Sequence, residues 1–165
     1  MKKNLFTIFI WAHNKPGVFF RILWLFRKKQ FNVESATVGH SEKPGITRFT
    51  LTISGAELSQ LENMRKQVFK LIDVTSVELV FENDLIAREL ALVTLEGPVK
   101  KIAKLLQIYH AEVIFEGKNS LTIEATGTET DINNLYQELR KNATIHAFVR
   151  TGRTAVYKHF KKGEL

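Results

Sequence analysis

The stretch Ala12-His13-Asn14-Lys15-Pro16-Gly17-Val18 separates two runs of different periodicity. Before it, residues 4–12 are almost continuously apolar, rich in Phe and Ile, and read as a buried β-strand. After it, Phe19, Ile22, Leu23, Leu25 and Phe26 recur at helical spacing, which predicts an amphipathic helix that stops near Gln30. Pro16 disfavours helical geometry at Lys15, so the helix begins at or after Pro16. A strand that ends in a turn and opens a helix gathers backbone N–H groups without intrahelical partners, and the helix dipole draws anions to that end. A carboxylate could be held there by backbone alone.

Working outward, residues 31–39 read as a second strand, with Val33, Thr37 and Val38 supplying β-branched side chains. Residues 41–45 are a polar turn containing Pro44 and Gly45. Residues 46–54 alternate Phe49, Leu51 and Ile53 with Arg48, Thr50 and Thr52, a half-buried strand paired with the one before it. Residues 57–71 repeat Leu58, Leu61, Met64, Val68 and Leu71 at helical spacing, and residues 73–81 alternate again as a fourth strand. The order βαββαβ is the ferredoxin-like arrangement. It then recurs: strand 87–95, helix 99–109, a hairpin of 111–115 and 120–125, helix 128–141, strand 143–150. The fold class is therefore α+β, with tandem ferredoxin-like units. Domains are expected at 1–82 and 83–165, the second ending in a basic tail at Lys158 to Lys162. Each unit leaves strand edges to protect, and pairing two sheets edge to edge is a common remedy, so a homodimer or a higher homo-oligomer is expected.

Composition narrows the function. With 165 residues, 44% hydrophobic, the chain can bury a core in each unit. It has no cysteine, which excludes disulfides and thiolate metal sites. The apolar run behind Lys2 and Lys3 lacks a small-residue cleavage pattern, and no apolar run approaches the roughly 20 residues that span a bilayer. A soluble cytoplasmic protein without a membrane partner is expected. The net charge of +7 is spread over helix ends and surfaces, except in the tail, and is not concentrated as a nucleic-acid interface requires. The five histidines lie at no metal-ligand spacing, and no nucleophile elbow, phosphate loop or dinucleotide fingerprint occurs. No catalytic residue and no metal ligand is assigned, and a binding or regulatory protein is expected.

Asn14-Lys15-Pro16-Gly17-Val18 with Arg21, then Phe31-Asn32-Val33-Glu34-Ser35-Ala36-Thr37-Val38-Gly39, then Thr47-Arg48-Phe49-Thr50, resembles the first ACT domain of the small regulatory subunit of acetolactate synthase (acetohydroxyacid synthase). Leu71-Ile72-Asp73-Val74 matches that family's approach to the fourth strand. Arg88-Glu89-Leu90-Ala91-Leu92-Val93 is similar to the start of its C-terminal domain, and Val149-Arg150-Thr151-Gly152 to its closing motif. The resemblance implies an N-terminal ACT domain for effector binding and dimerisation, and a C-terminal ACT-like domain. It implies a non-catalytic subunit that binds a catalytic chain, activates it, and confers feedback inhibition by valine or another branched-chain amino acid. It implies no cofactor in this chain, with thiamine diphosphate, Mg and FAD in the catalytic partner. Asn14, Gly17 and Val18 match the positions that hold the effector from one chain, and Asn32 and Val33 those supplied by the other. The residue types suit an amino-acid ligand. Gly17 admits close backbone approach, first-turn N–H groups take a carboxylate, and asparagine carbonyls accept from an ammonium. A turn at Asn14 and Gly17 and a strand cap at Asn32 would use the same residues. Three positions depart from the family, and so does the tail, where Ala155-Val156-Tyr157-Lys158-His159 replaces its usual ending. Phe20 and Trp24 stand where it has small residues, and Gln30 where it has Gly. The two aromatics share a helix face, where they either enlarge an interface or crowd the effector pocket. A free-standing ACT-type amino-acid sensor acting on transcription is the alternative, supported by the basic tail.

Overall fold

The computed structural model describes residues 5–159. Asn4 of the predicted first strand, and residues 160–162 of the basic cluster, lie outside the described residues. Strand β1 (Leu5–His13) leads through the loop to helix α1 (Val18–Lys28), followed by β2 (Asn32–His40), β3 (Ile46–Ser54), α2 (Leu58–Phe69) and β4 (Val74–Phe81). A single 3₁₀ turn (Glu82–Asp84) precedes β5 (Leu85–Glu96), α3 (Val99–Tyr109), β6 (Glu112–Glu116), β7 (Leu121–Gly127), α4 (Glu129–Asn142) and β8 (Thr144–Arg150). A short strand not read from the sequence, β9 (Thr154–Tyr157), follows. Two antiparallel sheets result, in the orders β2-β3-β1-β4 and β6-β7-β5-β8, with β9 paired to β5. The expected pair of ferredoxin-like βαββαβ units is present.

In the first unit one sheet face is covered by the helices. Ile8, Ile10, Phe49, Leu51 and Ile53 meet Val18, Ile22 and Phe26 of α1 and Leu61, Met64 and Val68 of α2. Helix α1 ends on a residue in left-handed geometry: Gln30 has φ of 59°. The Phe31 N–H reaches the Phe26 carbonyl and the Gln30 N–H the Arg27 carbonyl, both at 3.0 Å, and the Phe26 and Phe31 rings meet edge to face. This is a Schellman stop. Gln30 thus adopts a backbone geometry that favours glycine, with its side chain added there. Helix α3 stops in a similar way, on His110 with φ of 50° and the Ala111 N–H on the Leu106 carbonyl.

The second unit packs Ala91, Val93, Leu95, Ile123 and Ala125 against Ile102, Ile132, Leu135 and Leu139. Its two family-like motifs meet in space. The Arg150 guanidinium pairs with the buried Glu89 carboxylate and donates to Asn133 Oδ1 at 2.8 Å. The Leu90 N–H donates to Thr151 Oγ1 at 3.0 Å, and the Thr151 N–H to the Leu90 carbonyl at 2.9 Å. The helix α4 start is closed by a capping box between Thr128 and Asp131.

The division of the chain differs from the expected one at its end. The compact units are residues 5–86 with 155–159, and Ala87–Thr154. Residues 155–159 thus belong to the first unit and not to the second domain expected over 83–165. The reason is the face of the first sheet away from the helices. There the Phe9 ring, 0% exposed, meets the Tyr157 ring edge to face at 5.6 Å. The Arg48 guanidinium lies over the Phe9 ring at 4.3 Å and donates to the Ala155 carbonyl at 2.9 Å. The Tyr157 hydroxyl donates to the Glu78 carboxylate, and the Lys158 N–H to the Asp84 carbonyl at 2.9 Å. Burial pushes the Arg48 guanidinium below its ordinary value, against the pull of Glu42 and Glu78.

Candidate functional site

The loop between β1 and α1 is held from three sides. The His13 N–H donates to the Asp73 carbonyl and the Asn14 N–H to the Gly45 carbonyl, each at 2.8 Å. The Asp73 carboxylate, 6% exposed, accepts from Lys15 Nζ at 3.0 Å and from Arg21 Nη2 at 2.5 Å. Gly17 stands at the N-cap of α1 with φ of 81°, a geometry open to glycine at little cost. No side chain caps the helix there. The Val18 N–H turns back to the Lys15 carbonyl at 3.3 Å, and the Arg21 N–H takes the Gly17 carbonyl at 3.0 Å. Between them, the amides of Phe19 and Phe20 fall among the first-turn donors without an intrahelical acceptor. The Val18 side chain belongs to the buried core, so this residue offers backbone alone to a ligand.

Asp73 was not among the residues assigned to the site from the sequence. The signal was an acid directly before a strand, in Leu71-Ile72-Asp73-Val74, opposite a loop with two basic neighbours; periodicity does not reveal such a pairing. Its partners hold its carboxyl below the usual carboxylate value, chiefly through the hydrogen bond from Lys15. A group whose folded pKa lies below its unfolded value adds stability that is fully present above the unfolded value, about 3.9 for Asp, and lost as pH falls through the folded one. Asp73→Asn is therefore expected to flatten the acid limb of stability below about pH 4. Urea unfolding at a series of pH values checks this; an acid limb identical to that of the parent would remove Asp73 as the anchor.

Asn32 and Val33 lie elsewhere. Val33 packs at the margin of the first core. Asn32 Nδ2 donates to Glu34 Oε1 at 2.7 Å and to Ser54 Oγ at 3.3 Å, which leaves its carbonyl oxygen to accept. Asn32 also lines an open groove of about 760 Å³ with Lys29, Ser54, Met64, Lys66 and Lys70. Strand register shows the separation from the loop: His13 faces Ile46 and Asn32 faces Ser54, at opposite ends of β3. The eight residue steps between them span roughly 26 Å at about 3.3 Å each. One chain does not bring the two halves of the expected site together. Among the described residues no group of three or more His, Asp or Glu is placed to hold a metal, and no helix is long and apolar enough to cross a membrane.

The first unit, a ferredoxin-like sheet with an open, glycine-capped helix start after its first strand, has the form of an ACT domain, and the second unit repeats its topology. Residues 8–76 match the family model described as AHAS small subunit-like ACT domain, and residues 88–159 the one described as small subunit of acetolactate synthase. A probable acetolactate synthase small subunit from Archaeoglobus fulgidus is 34% identical, covering 94% of this chain and 98% of its own. The acetolactate synthase small subunit of Bacillus subtilis is also 34% identical, over 86% and 84%. The crystal structure of the acetolactate synthase small subunit from Thermotoga maritima superposes with a TM-score of 0.87 at 27% identity, over 95% of this chain and 99% of that one. The chain belongs to the acetolactate synthase small-subunit family.

Proposed function

We propose that this chain is the regulatory subunit of a cytoplasmic acetolactate synthase. It docks on a separate catalytic chain, raises its activity, and lowers it again when valine or another branched-chain amino acid binds between two copies of the first unit. Thiamine diphosphate, Mg and FAD belong to the catalytic chain in this reading. The observation that carries the effector site is the roughly 26 Å between its two halves, far more than one amino acid spans. Strand β2 is a sheet edge. Antiparallel pairing of two β2 strands in full overlap sets Asn32 opposite His40 of the partner subunit. That carries the partner's Asn32 to the end of the sheet where the Asn14–Gly17 loop stands. Mixing the purified protein with the catalytic chain is expected to give a stable complex and faster acetolactate formation; no complex and no change in rate would overturn the regulatory reading.

The aromatics of α1 fit the same pairing. Phe20 is 71% exposed and Trp24 45%, and Val38 of β2 is exposed on the helix side of the same edge. A second copy joined along β2 covers them. The double variant Phe20→Asp with Trp24→Asp is expected to weaken self-association about 100-fold, by charging the centre of an apolar contact. Sedimentation equilibrium measures it, and an unchanged association constant would place the interface elsewhere.

A further inference from the structure

An asparagine amide offers two N–H donors at one end and a carbonyl acceptor at the other, and nothing in the residue itself decides which end faces a ligand. For Asn32 two neighbours decide it. Asn32 faces Ser54 across the β2–β3 ladder and Val33 faces Ile53, but Ser35 faces Thr52, so Glu34 is the extra residue of a β-bulge. Its carboxylate reaches back along the strand. Glu34 Oε1 accepts from Asn32 Nδ2 at 2.7 Å and from the Ser54 hydroxyl at 2.5 Å, and Ser54 Oγ accepts from Asn32 Nδ2 at 3.3 Å. The buried Ser54 hydroxyl gives its single proton to Glu34, so toward Asn32 it is an acceptor only. Both groups that face the Asn32 amide therefore demand its N–H end. Turning the amide over sets its carbonyl oxygen against a carboxylate and loses a charge-assisted hydrogen bond. That disfavours the turned form by about tenfold or more.

We infer that Glu34 and Ser54 are positioning residues that hold Asn32 with its carbonyl outward, and that this makes the effector site selective for an α-ammonium group over a 2-oxo group. The inference rests on the effector reading above. An outward carbonyl accepts from an ammonium, which is a donor in every direction. The 2-oxo analogue of an amino acid has the same side chain and the same carboxylate, but at Cα it presents only lone pairs. Set against a fixed acceptor, they find no proton and lose their water. Gly17 and the first-turn amides do not tell the two molecules apart, because both carry the carboxylate. The distinction falls to Asn32, and its direction to Glu34 and Ser54. The chain thereby responds to the amino acid and ignores its deaminated counterpart.

The test uses the full chain, labelled with ¹⁵N, titrated with valine and with its 2-oxo analogue, 3-methyl-2-oxobutanoate, and read at the amides of residues 17–20. Valine is expected to bind about 100-fold more tightly than the oxo acid. In Glu34→Leu and in Ser54→Ala the preference is expected to fall to about tenfold or less, through weaker binding of valine. Glu34→Gln keeps a carbonyl that accepts from both Asn32 and Ser54, and is expected to retain the parent's preference to within about threefold. Without ligand, the Asn32 side-chain NH₂ resonances are expected to move in Glu34→Leu and Ser54→Ala while core resonances stay in place. Equal binding of the two acids by the parent, or an unchanged preference in both Glu34→Leu and Ser54→Ala, would overturn the inference and leave the effector site standing. So would a Glu34→Gln variant that behaves as Glu34→Leu does, which would put the charge of Glu34 itself on the ligand. Failure of valine to shift residues 17–20 of the parent would overturn the effector reading, and this inference with it.

Discussion

Gly17→Asp is expected to abolish inhibition by valine while leaving activation of the catalytic chain intact. The substitution brings a carboxylate to the positive end of α1, where the effector's own carboxylate would sit. Like charge in that position is expected to weaken the effector about 100-fold or more. The variant is also expected to fold. A Cβ built at Gly17 meets nothing within 4 Å, Asp is among the residues that accept left-handed geometry, and an acid suits a helix N-terminus. Gly17→Ala separates backbone strain from charge: it costs about 1 kcal/mol of stability and is expected to keep most of the response. Acetolactate formation titrated with valine, with each variant bound to the catalytic chain, is the measurement. Undiminished inhibition in Gly17→Asp would take the effector away from this loop.

The second large effect is expected far from the loop. Tyr157→Ala removes the ring that meets Phe9 and the hydroxyl that meets Glu78. Phe9 is then left facing a gap, and a loss of about 2–4 kcal/mol is expected. Tyr157→Phe keeps the ring contact and is expected to cost only about 1 kcal/mol. Urea unfolding at one fixed protein concentration compares the two, followed through the fluorescence of Trp11, whose ring stacks edge to face on Phe9. A midpoint unmoved in Tyr157→Ala would mean that residues 154–157 contribute nothing to the first unit's stability.

The two units, their element order and the α1 loop were legible because each rests on local periodicity or on a turn signal. Apolar alternation in residues 46–54 and helical spacing in 57–71 are properties of neighbours in sequence. Gly17 was legible for the same reason, since a glycine between a proline and an apolar helical run marks its own backbone geometry. Strand β9 was not. Thr154-Ala155-Val156-Tyr157 is too short to show a period, and what fixes it is Phe9 and Arg48, more than a hundred residues earlier. Val18 shows the reverse limit: the resemblance implies an effector contact there, but only packing reveals that its side chain fills the core. Asp73 combines both, a residue within a recognised motif whose partners, Lys15 and Arg21, lie across the sheet end.

Because β9 completes the first unit, that unit is discontinuous along the chain, with residues 87–154 inserted between its parts. During synthesis the sheet face around Phe9 therefore waits, uncovered, while the whole second unit is translated. The first unit to emerge is the last to be finished, so the order of completion runs against the order of appearance at the ribosome. Nascent chains arrested before residue 154 would carry a first unit with its helices docked and Phe9 still open to chaperones. A fragment cut at the boundary between the two repeats would remain in that state permanently.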